Sequence, residues 1–204
     1  INVVSCHNYC PIPDGVARDE ALPDYFNMAS LNEEERSRAV KFSQRTIDTA
    51  KKTGAKAVVL HCGRVEIPDT TKELIDLYAQ GQKQSPEFLK LRQETIIKRK
   101  QESRRFFQKA LTSLEELNLY AKTRGVLLGV ETRFYYREIP SLEELEVILE
   151  RFRGSQIGYW HDTGHAEVME RLGFSTHAEF LDAAAKNIIG IHLHDVVGCS
   201  DHQA

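Results

Sequence analysis

Histidine and carboxylate residues recur along this chain at a spacing that suits a metal centre. Glu131 lies 31 residues before Asp162, and Asp162 lies 30 residues before His192. A mixed set of imidazole and carboxylate ligands suits Zn, Mn or Fe, whereas Mg and Ca prefer shells made only of oxygen atoms. The residue types therefore predict a divalent metal cofactor, with Zn or Mn as the best fit.

Two local patterns carry most of this prediction. In Asp162-Thr-Gly-His165, either residue can bind a metal while the other binds a neighbouring metal or a substrate oxygen. In His192-Leu-His194, alternation along a strand places both imidazoles on the same side. His194 is therefore a candidate for substrate binding or for hydrogen bonding to a metal ligand.

Five short apolar runs lead up to these residues. They are rich in Val, Ile and Leu without alternation, which is typical of strands covered on both faces. The predicted strands are Ile1–Cys6, Lys56–His61, Gly125–Glu131, Gln156–His161 and Asn187–His194. Ligand-capable residues stand at or just beyond their carboxyl ends, namely His7, His61, Glu131, His161 with Asp162, and His192 with His194.

Helices are predicted between the strands. They cover Asn32–Thr53, a Ser141 capping box running to about Arg153, and Ser175–Lys186, while Thr70–Arg124 is expected to hold a short helix, a turn and a long helix from Glu87. This alternation predicts a parallel sheet, and the regular spacing of about 30 residues favours a (β/α) barrel over an open sheet. In a barrel, the strand ends form one face on which active sites are built.

The composition describes an ordinary globular protein. The 204 residues suit one domain spanning residues 1–204, with 41% hydrophobic and 28% charged residues. The net charge of -3 argues weakly against nucleic acid as a partner, and the basic segment Lys98–Lys109 is interpreted as a solvated helix face. No apolar run approaches the ~20 residues of a membrane helix. Four scattered cysteines favour a reducing cytoplasm, and an oligomer is compatible with the sequence.

The order of the candidate residues resembles the xylose isomerase-like barrel superfamily, which contains sugar isomerases, sugar-phosphate epimerases and endonuclease IV. Six strand-end motifs carry the resemblance: Ser5-Cys-His7-Asn-Tyr9, Leu60-His61-Cys-Gly63, Gly129-Val-Glu131-Thr-Arg133, Asp162-Thr-Gly-His165, His192-Leu-His194-Asp195 and the Asp-x-His position of His202. Each motif is weak alone, but their order is specific. Thr132 stands where asparagine is usual. Ser200 stands where the family has the aspartate of Asp-x-His, although Asp201 is adjacent.

The resemblance implies a role for each residue and a (β/α)8 TIM barrel of which this chain is a part. Arg133 is a candidate anion or hydroxyl contact, with an ordinary loop arginine as the alternative. Two strands before Ile1 and one after Ala204, which supplies a further glutamate ligand, would lie outside the sequence. The implied ligands are Glu131, Asp162 and His192 for the main metal, His7 and His61 for a second metal or the substrate, and His165 and His202 for a third metal or substrate oxygens.

The leading hypothesis is a metal-dependent sugar or sugar-phosphate isomerase or epimerase. The metal would act as a Lewis acid, and Glu131 together with the family's last glutamate would move protons through an enediolate-like intermediate. One alternative is an endonuclease IV-like zinc phosphodiesterase for abasic DNA, although Thr132–Arg137 does not resemble the Gly-rich sequence expected there. The other is a non-catalytic barrel that binds a metal or ligand within an assembly.

Overall fold

A computed structural model describes the backbone of residues 2–20 and 22–203 and the side chains as far as Ser200. Five parallel strands pair in chain order to form one sheet, as the sequence predicts for part of a (β/α) barrel. The strands are β1 (Ser5–His7), β2 (Ala57–Leu60), β3 (Leu127–Glu131), β4 (Ile157–Asp162) and β5 (Ile188–His192).

Helices cover the outer side of this sheet. They are α1 (Glu33–Thr53), α2 (Thr71–Ala79), α3 (Pro86–Arg124), α4 (Leu142–Arg151), α5 (Thr163–Leu172) and α6 (His177–Ala184). The predicted helix boundaries are confirmed where capping chemistry is strong. The Asn32 side chain accepts hydrogen bonds from the backbone at the start of α1, and Ser141 forms the predicted capping box with Glu144. No helix in the described residues is long and apolar enough to cross a membrane.

The central strands β2, β3 and β4 are apolar on both faces because both of their faces are buried, whereas β5 is partly exposed. Val58 and Leu128 point outward into the main core under the helices, while Val59 and Trp160 point into the barrel interior. Gly190 on β5 makes room for the indole, since a Cβ there would lie 2.1 Å from the Trp160 ring. The continuous apolar runs are therefore explained by this two-sided burial.

A one-residue shift interrupts the pairing of β4 with β5. Tyr159 pairs with Ile188, but the next residue, Trp160, pairs with Gly190, so Ile189 is passed over. Beyond this bulge the pairing is regular, and Asp162 lies opposite His192. The shift thus determines which residue of β5 faces the end of β4.

Two features differ from the sequence-based expectation. The first is a hairpin of β6 (Asp195–Val197) and β7 (Ser200–Gln203), which follows β5 and packs against α5. The second is α5 itself, which continues well beyond a first helical turn after Asp162. His202 lies in β7, and its side chain is outside the described part of the structure.

The basic segment Lys98–Lys109 lies on α3 and is only partly solvated. Arg99 is 5% exposed, and its guanidinium binds the Glu144 carboxylate at 2.7 Å. Expecting a wholly solvated face was wrong at this position, because Arg99 faces the loop that precedes α4 and donates to its carbonyl oxygens. Elsewhere in the segment, Lys109 pairs with Glu33 of α1 at 3.3 Å.

Candidate active site

Glu131 lies at the centre of the strand ends. Its side chain is 1% exposed, and imidazoles from three other strands or strand ends surround it. His61 Nε2 lies 2.7 Å and His7 Nε2 3.5 Å from Glu131 Oε2, while His192 Nδ1 lies 2.7 Å from Oε1. The convergence of these strand ends, inferred from the parallel topology, is therefore present in the structure.

Two metal-capable groups share Glu131. One consists of His7, His61 and Glu131, and the other of Glu131, Asp162 and His192. Within each group, one ligand-capable atom per residue lies within 4.8 Å of the others. In the second group, His192 Nδ1 also lies 3.3 Å from Asp162 Oδ2. Either group could hold a divalent ion.

The protonation of the second group suits a cation site. Burial raises the pKa of Glu131, but the imidazoles of His192, His61 and His7 more than offset this and hold that pKa well below its usual range. Burial likewise raises the pKa of Asp162, but a hydrogen bond from His192 and the charge of His165 bring it down to about 2. Hydrogen bonds to Asp162 and Glu131 raise the pKa of His192 to about 9. At neutral pH, a positive charge thus already lies between two carboxylates.

Asp162 is held by further contacts from α5 and from the segment that follows β5. His194 Nε2 lies 2.8 Å from Asp162 Oδ1, and the His165 backbone N–H donates to the same oxygen at 2.8 Å. The His165 ring donates from Nδ1 to the Thr132 carbonyl oxygen at 2.7 Å. Gly164 permits the close approach of His194, since a Cβ there would lie 2.0 Å from the His194 ring. Both imidazoles of His192-Leu-His194 therefore contact the same carboxylate, as strand alternation predicts.

Arg133 is buried beside Glu131 and His61. Its Nη1 lies 3.1 Å from Glu131 Oε2 and 2.7 Å from His61 Nε2, and its Nη2 lies 3.3 Å from Asp24 Oδ2 and 3.1 Å from Glu138 Oε1. His61 Nδ1 donates to Asp24 Oδ2 at 2.8 Å, while its Nε2 lies 2.7 Å from both Arg133 Nη1 and Glu131 Oε2. The charge of Arg133 is thus balanced by protein carboxylates.

Sequence reasoning missed Asp24 and Glu138. Asp24 lies in the long segment between β1 and α1, and Glu138 lies in the loop between β3 and α4. Their pKa values differ in direction. Burial raises both, but the charges of His61 and Arg133 bring the pKa of Asp24 well below its usual range, whereas that of Glu138 stays raised. The one available signal was their position in loops at strand carboxyl ends, where barrels place functional residues.

His161 does not belong to this site, contrary to its grouping with Asp162 in the sequence. Successive strand residues point to opposite faces, so His161 points away from the cleft. It contacts Tyr159 Oη at 2.7 Å through Nδ1 and His177 Nδ1 at 3.4 Å through Nε2. His177 is part-exposed and also pairs with Glu167.

The central side chains line a cleft of about 350 Å³. Pro23 and Phe134 supply apolar wall, and His165, His7 and His192 supply polar groups beside the carboxylates. Burial lowers the pKa of His7, and its Nδ1 donates to the Asn8 carbonyl oxygen at 3.1 Å, which leaves Nε2 to face Glu131. A cleft of this size and polarity suits a small polar molecule.

The chain is similar to a known protein family and to several solved structures. A family model described as "Xylose isomerase-like TIM barrel" matches residues 4–203. A D-tagatose 3-epimerase-like protein is 19% identical with a TM-score of 0.53, over 96% of this chain and 57% of that one. A xylose isomerase domain protein from Planctomyces limnophilus is 18% identical with a TM-score of 0.55, over 95% and 54%.

A D-allulose 3-epimerase from Methylomonas sp., solved in complex with D-allulose, is 14% identical with a TM-score of 0.55, over 82% of this chain and 47% of that one. The chain thus spans about half the length of the structures it resembles. At these identities, the likeness establishes the fold alone. No curated protein matches the chain.

Proposed function

The chain belongs to the xylose isomerase-like TIM barrel family, and on that premise we propose that its strand-end cleft serves a metal-dependent sugar or sugar-phosphate isomerase or epimerase. The observation that carries the proposal is the convergence of Glu131, Asp162 and His192 from three consecutive strands. The structural likeness to sugar epimerases supports a small sugar as the substrate class.

Glu131, Asp162 and His192 are the proposed ligands of the main metal. Two carboxylates and one imidazole form a donor set that suits Zn or Mn. The fit is supported by the positive charge that His192 already places between the two carboxylates. When bound, the ion would supply Lewis-acid stabilisation of negative charge on the substrate.

The surrounding residues would orient the ligands and the substrate. His194 and the His165 backbone N–H fix both the position and the ionised state of Asp162, which is the usual role of residues behind a metal ligand. We further propose that the His165 and His7 rings contact substrate hydroxyl groups, because both line the cleft. Substrate binding by His194 and Arg133, and a role for His202, stay predictions.

Proton transfer by Glu131 would require an available carboxylate oxygen. Both of its oxygens already face imidazole or guanidinium groups, and its pKa lies well below the usual range. A strongly acidic carboxyl is a good metal ligand but a weak base. Proton transfer through Glu131 therefore requires one of these contacts to open during the reaction.

The test is exchange of substrate protons with solvent. Full-length protein, loaded with Mn²⁺ in D₂O, is incubated with a panel of ketoses and ketose phosphates and followed by NMR. We expect deuterium at a carbon next to the carbonyl with the wild type. Asp162→Asn should abolish the exchange, and Asp182→Asn, an exposed carboxylate on α6, should leave it unchanged. Absence of exchange across the whole panel would count against the proposed reaction.

Cleavage of abasic DNA is the second candidate, because His7 and His61 form a further metal-capable group with Glu131. We expect no salt-sensitive binding to abasic duplex, since phosphate contacts require a surface of unpaired basic residues. The basic segment of α3 has Arg99 buried and Lys109 paired with Glu33. Cleavage at an abasic site that a chelator abolishes would support this second function over the first.

Two further proposals concern the whole chain. We place the protein in the cytoplasm, because all four cysteines are free thiols in the described structure, as a reducing compartment requires. We also treat residues 1–204 as one domain, because a single core cluster extends from Cys6 on β1 to Ala184 on α6.

A further inference from the structure

We propose that the Arg133 guanidinium takes the place of a second metal beside Glu131, so that this centre holds one divalent ion. The inference rests on the proposed metal-dependent function and deepens it by fixing the number of ions. It concerns the group formed by His7, His61 and Glu131, which otherwise offers two imidazoles and a carboxylate to a second ion.

Arg133 already contacts the atoms that a second ion would need. An ion in this group would bind the lone pairs of His61 Nε2 and Glu131 Oε2 at about 2 Å. Arg133 Nη1 lies 2.7 Å from His61 Nε2 and donates to Glu131 Oε2 at 3.1 Å. A second ion would therefore have to displace the guanidinium from both atoms.

The guanidinium is also held in place from its other side. Nη2 contacts Asp24 Oδ2 at 3.3 Å and Glu138 Oε1 at 3.1 Å, and the Arg133 side chain is 7% exposed. Asp24 in turn accepts from His61 Nδ1, which fixes the imidazole with Nε2 toward the arginine. Withdrawal of Arg133 would leave buried carboxylates without their partner, which is a strongly unfavourable change.

Charge balance favours one ion over two. Four buried or part-buried carboxylates surround the centre: Asp24, Glu131, Glu138 and Asp162. One divalent ion together with Arg133 supplies three positive charges against these four. A second divalent ion would add two more positive charges directly beside the buried guanidinium. Burial of uncompensated charge is costly, so the arginine makes a second ion unfavourable.

The experiment counts ions and measures the distance between them. Full-length protein is stripped with a chelator, titrated with Mn²⁺ by calorimetry and examined by electron paramagnetic resonance. We expect the wild type to bind one ion per chain with the spectrum of isolated Mn²⁺. Arg133→Met removes the charge and should bind two ions, whose spectra couple because ions sharing a carboxylate lie about 4 Å apart.

The matched control is Arg137→Met. Arg137 lies in the same loop and pairs with Asp69 at 3.6 Å, away from Glu131. This variant should bind one ion, as the wild type does. One ion in folded Arg133→Met would overturn the inference, because the arginine would then not be what excludes the second ion.

If Arg133→Met does not fold, the number of ions bound by the wild type still tests the inference. Two coupled ions in the wild type would overturn the inference and leave the proposed function intact. Absence of any bound ion would overturn both. His61→Ala adds a further test in an otherwise intact chain. Because His61 contacts the ligand Glu131 but is not itself a ligand on this proposal, the variant should still bind one ion, with about a 10- to 100-fold loss of affinity, and complete loss of the ion would contradict it.

Discussion

The two sides of Glu131 balance the same carboxylate in different ways. On the aspartate side, formed by Asp162, His192 and His194, the positive charge is a proton on His192. On the arginine side, formed by His7, His61 and Arg133, it is a guanidinium that does not lose its proton. A proton can be exchanged for a metal ion, whereas a guanidinium fixed by Asp24 and Glu138 cannot. The comparison teaches that similar clusters of ligand-capable residues need not be equivalent sites.

The largest expected effect comes from removing the charge that both sides share. Glu131→Gln keeps the shape of the side chain but removes its negative charge, so the apparent affinity for Mn²⁺ should fall by more than about a hundredfold. Elemental analysis and calorimetry of the full-length protein measure this loss. His177→Ala, a part-exposed histidine outside the cleft, is the matched control and should keep the wild-type metal content. Equal metal content in Glu131→Gln and the wild type would reject Glu131 as a ligand.

The pH dependence of metal binding tests the aspartate side. The raised pKa of His192, about 9, means that the ring is protonated below that pH and that an ion must displace the proton. Affinity for Mn²⁺ should therefore rise about tenfold per pH unit between about pH 6 and pH 8. Titrations at three pH values give the slope. A flat profile would show that no proton is released at His192, and the comparison between the two sides would lose its basis.

A smaller effect is expected from the residues behind Asp162. His194→Ala removes a hydrogen bond to the carboxylate without touching the cleft centre, and should weaken metal binding about 10- to 100-fold. Gly164→Ala should act in the same direction, because its Cβ would displace the His194 ring. Gly173 follows the end of α5 and has a positive φ, so the control is Ala166→Ser within the helix, which should keep the wild-type affinity. Wild-type affinity in both test variants would remove His194 from the site.

The smallest effect on metal affinity is expected from a substitution on the outer face of β4. His161→Ala should leave metal affinity unchanged, because the ring points toward Tyr159 and His177. It removes a buried hydrogen bond, so the free energy of unfolding should fall by about 1 kcal/mol. Chemical denaturation and metal titration of the same sample separate the two quantities. A loss of metal binding with no loss of stability would place His161 in the site after all.

The sequence contains enough to locate the residues of the candidate metal group, for a physical reason. Strands buried on both faces are recognisable as apolar runs, and in a parallel barrel the residues at their carboxyl ends must meet. Glu131, Asp162 and His192 could be found in this way. His161, at the end of the predicted fourth strand, is separated from these residues because it points to the opposite face from Asp162.

The arginine side was not predictable in the same way. Arg133 contacts Asp24 across 109 residues of sequence, and Asp24 lies in a segment without the periodicity of a helix or strand. The balance of charge around Arg133 depends on this distant contact and on Glu138 in another loop. Such loop contacts follow from the closed fold, whereas the strand-end pattern is local to each strand.

The bulge between β4 and β5 determines where residues can be inserted or deleted near β5 without moving His192. Ile189 is the residue passed over, and from Gly190 onward each residue of β5 has a fixed partner on β4. A length change before the bulge can be absorbed by the connection from α6, whereas an insertion or deletion between Gly190 and His192 would place Ile191 or Leu193 opposite Asp162. A carboxylate would then face an aliphatic side chain. The connection from α6 to β5 can therefore vary in length. The number of residues between the bulge and His192 is constrained, even at a position such as Ile191 where other side chains would fit.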